Sequence, residues 1–184
     1  MIYLMRHGID DENYVGGFSD VSLTKEGKDE VYRNGLWIKD NLNIEKIITS
    51  DVKRALETSD IISQILNLEI IKTSILREQN KGILNGRLKS SLNDYEKRLL
   101  YEQKIDTVFL NGESLIDLYN RIKENLDYLM TLDNSLIVTH RGVINMIYYI
   151  LNDIDLDMNK NRFNVTHASI HELDLNNRKI KRIK

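Results

Sequence analysis

Cysteine and proline are both absent from this chain of 184 residues. The lack of cysteine excludes disulfide bonds, zinc sites built on thiolates and a cysteine nucleophile. The lack of proline means that tight turns must rely on glycine, asparagine and aspartate. An excess of positive charge is also missing, because the formal net charge is −2 and no long block of lysine and arginine occurs. We therefore expect no nucleic-acid partner.

Long hydrophobic runs are lacking as well, and no apolar stretch approaches the length that crosses a membrane. The apolar stretch at residues 2–5 is too short for a signal peptide, and Arg6 and His7 interrupt it. We therefore expect a cytoplasmic protein without a membrane partner. Apolar residues make up 41% of the chain, which is enough for one domain with a substantial core.

The hydrophobic pattern predicts strands that alternate with helices. Short apolar runs predict buried strands at 2–5, 46–50, 68–71 and 135–140. Helical spacing predicts helices at 24–41, with Thr24 as N-cap, and at 52–66, 113–132 and 143–151. The tail predicts two more strands, within 168–175 and 179–184, joined at Asn176-Asn177. This order indicates an α/β fold whose sheet is mainly parallel, with the C-terminal hairpin as an antiparallel edge.

Two of the predicted strands end in a histidine that is closely followed by glycine. His7 follows the first strand beside Arg6, and His140 follows the strand at 135–140. The strand at 46–50 leads to Arg54 in the first turn of the next helix. Open α/β sheets bind ligands at the carboxyl ends of their strands, and arginine can hold two phosphate oxygens at once. The arrangement therefore predicts a phosphate-binding pocket.

These motifs resemble those of the histidine phosphatase superfamily, also called the phosphoglycerate mutase-like family. The N-terminal signature Arg-His-Gly, with an asparagine five residues further on, is present as Arg6-His7-Gly8 and Asn13. Further stretches match in order: Asp20 to Gly27, Ser50 through Arg54-Ala55 to Thr58, Leu76-Arg77-Glu78 with Gly82 and Gly86, Gly112-Glu113-Ser114 with Arg121, and Val138-x-His140-x-Gly142. The resemblance implies one domain over 1–184, folded as a three-layer α/β/α sandwich of the phosphoglycerate mutase type.

The resemblance also implies a metal-independent phosphomonoesterase of the histidine acid phosphatase type that acts on a small phosphorylated metabolite. His7 would carry the phosphoryl group, while Arg6, Arg54 and His140 would neutralise its oxygens. Glu78 would protonate the leaving alcohol and then activate water. Neither a metal nor a cofactor is implied. The residues expected to contact the substrate are Gly8, Asn13, Ser19 and Arg141.

Two alternative functions remain open, a cofactor-dependent phosphoglycerate mutase and a catalytically inactive protein that binds a phosphorylated ligand. The five catalytic residues are all present, which disfavours the inactive protein. Mutases of this family carry a longer insert rich in arginine and proline. Here the insert has no proline, and Arg87 and Arg98 are its only arginines between Gly86 and the helix at 113. The segment at about 79–112 is predicted to form a lid that sets specificity.

Several positions depart from the family pattern or lie outside it. Asp10 would repel a phosphate, so it is expected to point elsewhere or to alter the choice of substrate. For Arg141, a substrate contact and a surface position are the two alternatives. His167 is a candidate for the rim of the pocket, whereas His171 is expected to be exposed on its strand.

Overall fold

The computed structural model of the chain describes residues 1–174 and 177–184. Its strands lie close to the predicted positions. They are β1 (Ile2–Arg6), β2 (Lys46–Ser50), β3 (Ile70–Thr73), β4 (Ser135–Thr139), β5 (Ile170–Asp174) and β6 (Lys179–Arg182). Of the predicted turn at Asn176-Asn177, Asn176 lies outside the described residues. The backbone N–H of Asn177 donates a hydrogen bond of 3.1 Å to the Asp174 carboxylate.

The described helices include the four that the pattern predicts and one that it does not. They are α1 (Lys25–Asn41), α2 (Lys53–Leu66), α3 (Asp94–Tyr101), α4 (Leu115–Met130) and α5 (Arg141–Leu151). Three short 3₁₀ turns add to them, at Ser74–Leu76, Gly82–Leu84 and Lys89–Ser91. Within the described ranges, no helix combines the length and the apolar character that crossing a bilayer requires.

Side-chain caps determine where two of the long helices begin. Thr24 accepts a hydrogen bond of 3.0 Å from the backbone N–H of Gly27, which confirms the predicted N-cap of α1. Ser114 and Asp117 form a reciprocal capping box, so α4 begins at Leu115 rather than at residue 113.

The sheet has the strand order β3-β2-β4-β1-β5-β6. The first four strands are parallel, whereas β5 and β6 are each antiparallel to their neighbour. Arg6 of β1 pairs with Thr139 of β4, and the N–H of His7 donates to the carbonyl of Thr139 at 2.9 Å. This register places His7 and His140 side by side at the carboxyl edge of the sheet.

Buried apolar side chains cover both faces of the sheet. Leu4 and Ile137 pack on the face covered by α4 and α5, while their neighbours Met5 and Val138 pack on the face covered by α1 and α2. The alternation follows from the two-residue period of a strand. The fold is therefore the predicted three-layer α/β/α sandwich with a mainly parallel sheet.

The segment 79–112 contributes to a small hydrophobic cluster of its own. Leu84, Leu92, Leu100 and Phe109 pack there together with Val15. The unpredicted α3 belongs to this segment and is only eight residues long. Because Leu100 is its one buried residue, α3 gives little helical periodicity to detect in the sequence.

The prediction that His171 is exposed is wrong, because its side chain is completely buried in β5. Its Nδ1 lies 2.9 Å from the hydroxyl of Tyr148, and its Nε2 lies 2.9 Å from the hydroxyl of Ser169. Tyr148 belongs to α5, which covers this part of the sheet. Two hydroxyl groups thus satisfy a buried histidine away from the carboxyl edge.

Candidate active site

His7 follows β1 directly, and its buried ring is held in one tautomer. Nδ1 lies 2.7 Å from the carbonyl oxygen of Gly8, so Nδ1 carries the hydrogen and donates it. Nε2 then has the lone pair, and it accepts a hydrogen bond of 3.1 Å from Nε of Arg54. Burial, reinforced by the charge of Arg54, holds the pKa of His7 well below its usual range. The ring is therefore neutral near pH 7, with Nε2 as a potential nucleophile.

Arg54 lies in the first turn of α2 and is almost completely buried. Besides its contact with His7, it donates through Nη1 to the hydroxyl of Ser19 and through Nη2 to the carbonyl of Gly17, each at 3.0 Å. These three hydrogen bonds fix the plane of the guanidinium group. A permanent positive charge is thereby held beside Nε2 of His7.

Arg6 supplies a second buried positive charge. Its Nη1 donates to the carbonyl of Val165 at 3.0 Å, and its Nη2 donates to Nε2 of His167 at 2.5 Å. Burial and the charge of Arg141 lower the pKa of Arg6 to about 10, so the group stays charged at neutral pH. Burial and the charge of Arg6 lower the pKa of His167 to about 3, which leaves a neutral acceptor. His167 is thus brought into the site, with its ring centroid 5.5 Å from that of His7.

His140 lies between β4 and α5, with its ring centroid 5.2 Å from that of His7. Its Nε2 is 2.8 Å from the hydroxyl of Ser50. Its buried Nδ1 has no hydrogen-bond partner within residues 1–174 and 177–184. Burial and the charge of Arg54 hold the pKa of His140 well below its usual range, so the ring is neutral. Nδ1 of His140 thus lacks the hydrogen bond that a buried nitrogen normally makes.

The Glu78 carboxylate accepts backbone hydrogen bonds from Gln79 at 3.0 Å and from Gly142 at 3.1 Å. Burial raises the pKa of Glu78, but these hydrogen bonds and the charges of Arg54 and Arg141 bring it below its ordinary value. A Cβ at Gly142 would lie 2.0 Å from Oε1 of Glu78. A side chain at 142 would therefore displace the Glu78 carboxylate, whereas glycine leaves room for it.

Arg121 positions the segment that carries Glu78. From α4 it donates to the carbonyl of Ile75 at 2.5 Å and to the carbonyl of Arg77 at 3.0 Å. An ion pair of 2.8 Å with Glu113 holds its guanidinium group in place. Glu113 and Arg121 both match the family pattern. In the structure, they hold the segment between β3 and Glu78 in place.

These side chains surround a cavity of about 340 Å³, a size that suits a small ligand. Arg6, His7, Arg54 and Glu78 line one part of it. The segment 79–112 and the loop after α5 line much of the rest. Four of the five predicted catalytic residues therefore line one cavity, and the fifth, His140, lies beside His7 without lining it.

The predicted substrate-binding residues are divided between the cavity and its surroundings. Arg141 lines the cavity, which favours a substrate contact over a surface position. Ser19 is buried against Arg54, so its hydroxyl orients that guanidinium group. Asn13 is exposed, and its side chain donates to Asp11 at 2.9 Å. The structure therefore does not bring Asn13 to the other site residues.

Gly8 is buried beside α1 and is not among the cavity-lining residues. Its N–H donates to the hydroxyl of Thr58 at 3.1 Å. A Cβ at this position would lie 2.6 Å from the side chain of Val31. Glycine thus lets α1 approach the end of β1 closely, and Gly8 does not lie at the cavity, where a substrate contact was expected.

Asp10 does not point away from the site. Its carboxylate lines the cavity, 3.6 Å from Nε of Arg54 and 3.8 Å from Nε2 of His167. Burial raises the pKa of Asp10, while the charges of Arg54 and Arg6 oppose that change. Of the two sequence-based alternatives, an effect on substrate choice is the one compatible with this position.

His7, Asp10 and His167 could in principle hold a metal ion, because their ligand atoms lie within 4.8 Å of one another. However, Arg54 and Arg6 donate hydrogen bonds to the lone pairs of the two histidines. A cation would have to displace both guanidinium groups against charge repulsion. The electrostatics of the cluster suit an anion better.

A sequence profile of the histidine phosphatase superfamily (branch 1) matches residues 2–183. The chain belongs to this superfamily. It is also similar to two bacterial proteins named probable phosphoglycerate mutase GpmB. The one from Erwinia tasmaniensis is 29% identical over 182 residues, which cover 94% of this chain and 84% of the relative. The one from Escherichia coli (strain K12 / DH10B) is 34% identical over 148 residues, which cover 76% of this chain and 68% of the relative.

A solved structure shows the same fold. The α-ribazole phosphatase from Shigella flexneri superposes with a TM-score of 0.78 at 20% sequence identity. The match covers 98% of this chain and 93% of the other. The similarity confirms that this histidine phosphatase has the phosphoglycerate mutase-like architecture expected from its motifs.

Three side chains of the site had no assigned role in the sequence. Ser50 binds the second histidine, Lys81 lines the cavity, and Asn145 does so from the buried face of α5. Ser50 lies within a matched motif, which was the one available signal. A lysine in a loop and an asparagine in an apolar helix are common, and their neighbours become visible only in three dimensions.

Proposed function

We propose that this histidine phosphatase is a metal-independent phosphomonoesterase that acts on a small phosphorylated metabolite through a phosphohistidine at His7. The observation that supports this most directly is the tautomer of His7. Nδ1 is held by the Gly8 carbonyl, so the lone pair of Nε2 faces Arg54 at the cavity. A neutral imidazole whose second nitrogen carries no hydrogen can attack phosphorus without an activating base, once the substrate replaces Nε2 as the acceptor of the Arg54 hydrogen bond.

In the first step, Nε2 of His7 forms a bond to phosphorus while the bond from phosphorus to the ester oxygen breaks. Glu78 gives its proton to that oxygen, and the alcohol leaves. In the second step, Glu78 takes a proton from water, whose oxygen attacks phosphorus. The bond between phosphorus and Nε2 breaks, which releases inorganic phosphate and restores His7.

Glu78 must be protonated for the first step, although its pKa is below the ordinary value in the free protein. A phosphate dianion bound at Arg6 and Arg54 adds negative charge beside the carboxylate and raises its pKa. The same dianion favours protonation of His140. Substrate binding thus prepares the acid, and the two arginines stabilise the charge on the transferring group.

We further propose that 79–112 acts as a specificity segment within one domain. It contributes six side chains to the cavity, and these are Gln79, Lys81, Lys89, Leu100, Tyr101 and Gln103. Its separate hydrophobic cluster allows its surface to vary without disturbing the sheet.

A coupled assay with 3-phosphoglycerate separates the phosphatase from the mutase. We expect release of inorganic phosphate, little formation of 2-phosphoglycerate and no stimulation by 2,3-bisphosphoglycerate. A mutase must exclude water from its phosphohistidine. This chain lacks the longer insert of the mutases, so we expect water to reach a phosphohistidine in this cavity. Efficient isomerisation that requires the bisphosphate would show that the protein is a mutase. If phosphate esters bind but none in a broad panel is hydrolysed, the protein is an inactive binder.

Chelation tests the metal-independent part of the proposal. We expect phosphatase activity to be unchanged after dialysis against EDTA, because two guanidinium groups already supply the positive charge at the phosphoryl site. The measurement is phosphate release before and after dialysis, with and without added magnesium or zinc. Activity lost on chelation and restored by one metal would contradict this description of the site.

A further inference from the structure

The carboxylate of Asp10 lies inside the positive cluster at which the phosphoryl group would react. Its Oδ2 is 3.6 Å from Nε of Arg54, the same nitrogen that donates to Nε2 of His7. An oxygen of Asp10 and a ring nitrogen of His7 lie within 4.8 Å of each other. A phosphoryl group bonded to His7 extends its oxygens into this space. Asp10 therefore faces the position of the phosphoryl oxygens.

The backbone that carries Asp10 is fixed on the side away from the cavity. Asp10 forms an isolated antiparallel bridge with Leu23, and the carbonyl of Ile9 accepts a hydrogen bond of 2.8 Å from the N–H of Thr24. A Cβ at Gly27 would lie 2.2 Å from that carbonyl oxygen, so α1 packs directly against residue 9. The loop can therefore withdraw Asp10 from the site only by separating from α1.

The charges around Asp10 compensate its carboxylate only in part. The ionisable groups that act on it are Arg54 of α2, Arg6 and His7 at the end of β1, His167 before β5, and Glu12 of the same loop. His7 and His167 are neutral because each accepts a hydrogen bond from an arginine. Burial and the charge of Glu12 raise the pKa of Asp10, while the two arginines oppose that change.

The arrival of a phosphoryl dianion changes this balance of charge. The dianion takes hydrogen bonds from Arg54 and adds negative charge beside the carboxylate of Asp10. Like charges in contact disfavour the ionised carboxylate, so the repulsion disappears when the carboxylate takes up a proton. A protonated carboxyl group also has an O–H that can donate to a phosphoryl oxygen. Protonation thus turns a repulsive contact into an attractive one.

We propose that Asp10 binds the phosphoryl group in its protonated form and donates a hydrogen bond to one phosphoryl oxygen, so that the site binds a dianion together with one proton. The proton comes from solvent and returns to solvent when inorganic phosphate leaves. Proton uptake is a property of binding, although the identity of the anion as a phosphoryl group rests on the proposed function. Binding of a dianion therefore becomes tighter as the pH falls.

Sulfate tests this proposal because it is a tetrahedral dianion that keeps both charges from mildly acidic to mildly alkaline pH. We would measure its Kd by calorimetry over this range, and its proton uptake by repeating each titration in buffers with different enthalpies of ionisation. Glu78 and His140 can also take up protons, so the native protein is compared with Asp10→Asn, whose amide does not titrate. At the pH of greatest difference, we expect the native protein to take up about one proton more.

The two proteins should bind sulfate within about threefold of each other at the acidic end, since a protonated carboxyl group and an amide both donate a hydrogen bond. As the pH rises, the Kd of the native protein should increase by about a further tenfold per pH unit, until Asp10→Asn binds about tenfold more tightly or better.

Asp11→Asn is the matched control, since Asp11 belongs to the same loop and does not line the cavity. It should show the proton uptake and the pH dependence of the native protein. Asp10→Ser, which also lacks the carboxyl group, gives an independent reading if Asp10→Asn does not fold.

Equal proton uptake by the native protein and Asp10→Asn would overturn the role of Asp10, because the carboxylate would then turn out of the site. An advantage of Asp10→Asn by the same factor at every pH would also overturn it, since the carboxylate would then stay ionised beside the anion. Failure of sulfate to bind at any pH would overturn the oxyanion site itself. If the difference in proton uptake is found but no phosphate monoester of a broad panel is hydrolysed, the role of Asp10 stands and the proposed phosphatase function fails.

Discussion

His7→Ala is expected to reduce the turnover of a phosphate monoester by about 10³-fold or more, because it removes the nitrogen that accepts the phosphoryl group. The loss should appear in kcat, since Arg6 and Arg54 remain to bind the phosphate. The measurement is steady-state phosphate release with the purified variant. Turnover close to that of the native protein would exclude a covalent role for His7.

The matched control is His171→Gln, because His171 is equally buried but its ring is bound by Tyr148 and Ser169 outside the cavity. This variant should lose stability, since a buried hydrogen-bond network is disturbed, but the folded protein should retain most of its turnover. A comparable loss of kcat in both variants would point to a general disturbance of the fold.

Glu78→Gln is expected to slow the hydrolysis of alkyl phosphates by roughly 10²- to 10⁴-fold, because glutamine cannot protonate the leaving alkoxide. The loss should be much smaller for p-nitrophenyl phosphate, whose leaving group needs little protonation. Glutamine has the shape of glutamate, so the space beside Gly142 remains filled, but its amide nitrogen cannot accept one of the two backbone hydrogen bonds that the carboxylate accepts. The measurement compares kcat for the two substrates in each protein.

Equal losses on the two substrates would assign Glu78 a structural role, through its backbone hydrogen bonds to Gln79 and Gly142. Arg121→Lys provides a useful contrast. It disturbs the segment that carries Glu78 but keeps the carboxyl group, so the loss on alkyl phosphates should be smaller than that of Glu78→Gln.

The approach of the candidate catalytic residues to one another could be predicted from the sequence because it depends on strand ends. Parallel strands in one sheet have their carboxyl ends at the same edge, so His7 and His140 had to meet once both strands were recognised. Arg54 follows from the same reasoning, since it begins the helix after β2. These predictions use short-range patterns together with one rule of topology.

Other features could not be predicted because they depend on which side chains happen to pack together. His171 was expected to be an exposed strand residue, but Tyr148 covers it from α5. Asn13 matches the family motif, yet its side chain turns to Asp11 at the surface. The burial of Lys81 results from a cluster that forms only when the segment 79–112 folds back on Val15.

The pKa of Glu78 shows a further limit of sequence reasoning. A carboxylic acid at neutral pH requires a raised pKa, whereas Gln79 and Gly142 stabilise the ionised form in the free protein. In the proposed mechanism, binding of the substrate therefore has to produce the acid. The negative charge of the substrate, which neither the sequence nor the free structure contains, would raise the pKa of Glu78.

The most direct test of the central claim is detection of the phosphoryl group on His7. The protein would be mixed with a ³²P-labelled phosphate monoester, quenched in alkali within milliseconds and digested for peptide mapping. The mechanism predicts an alkali-stable, acid-labile phosphate on the peptide that contains His7, absent from His7→Ala and formed no more slowly than turnover. Full turnover without any such adduct, or a label on another residue, would contradict it.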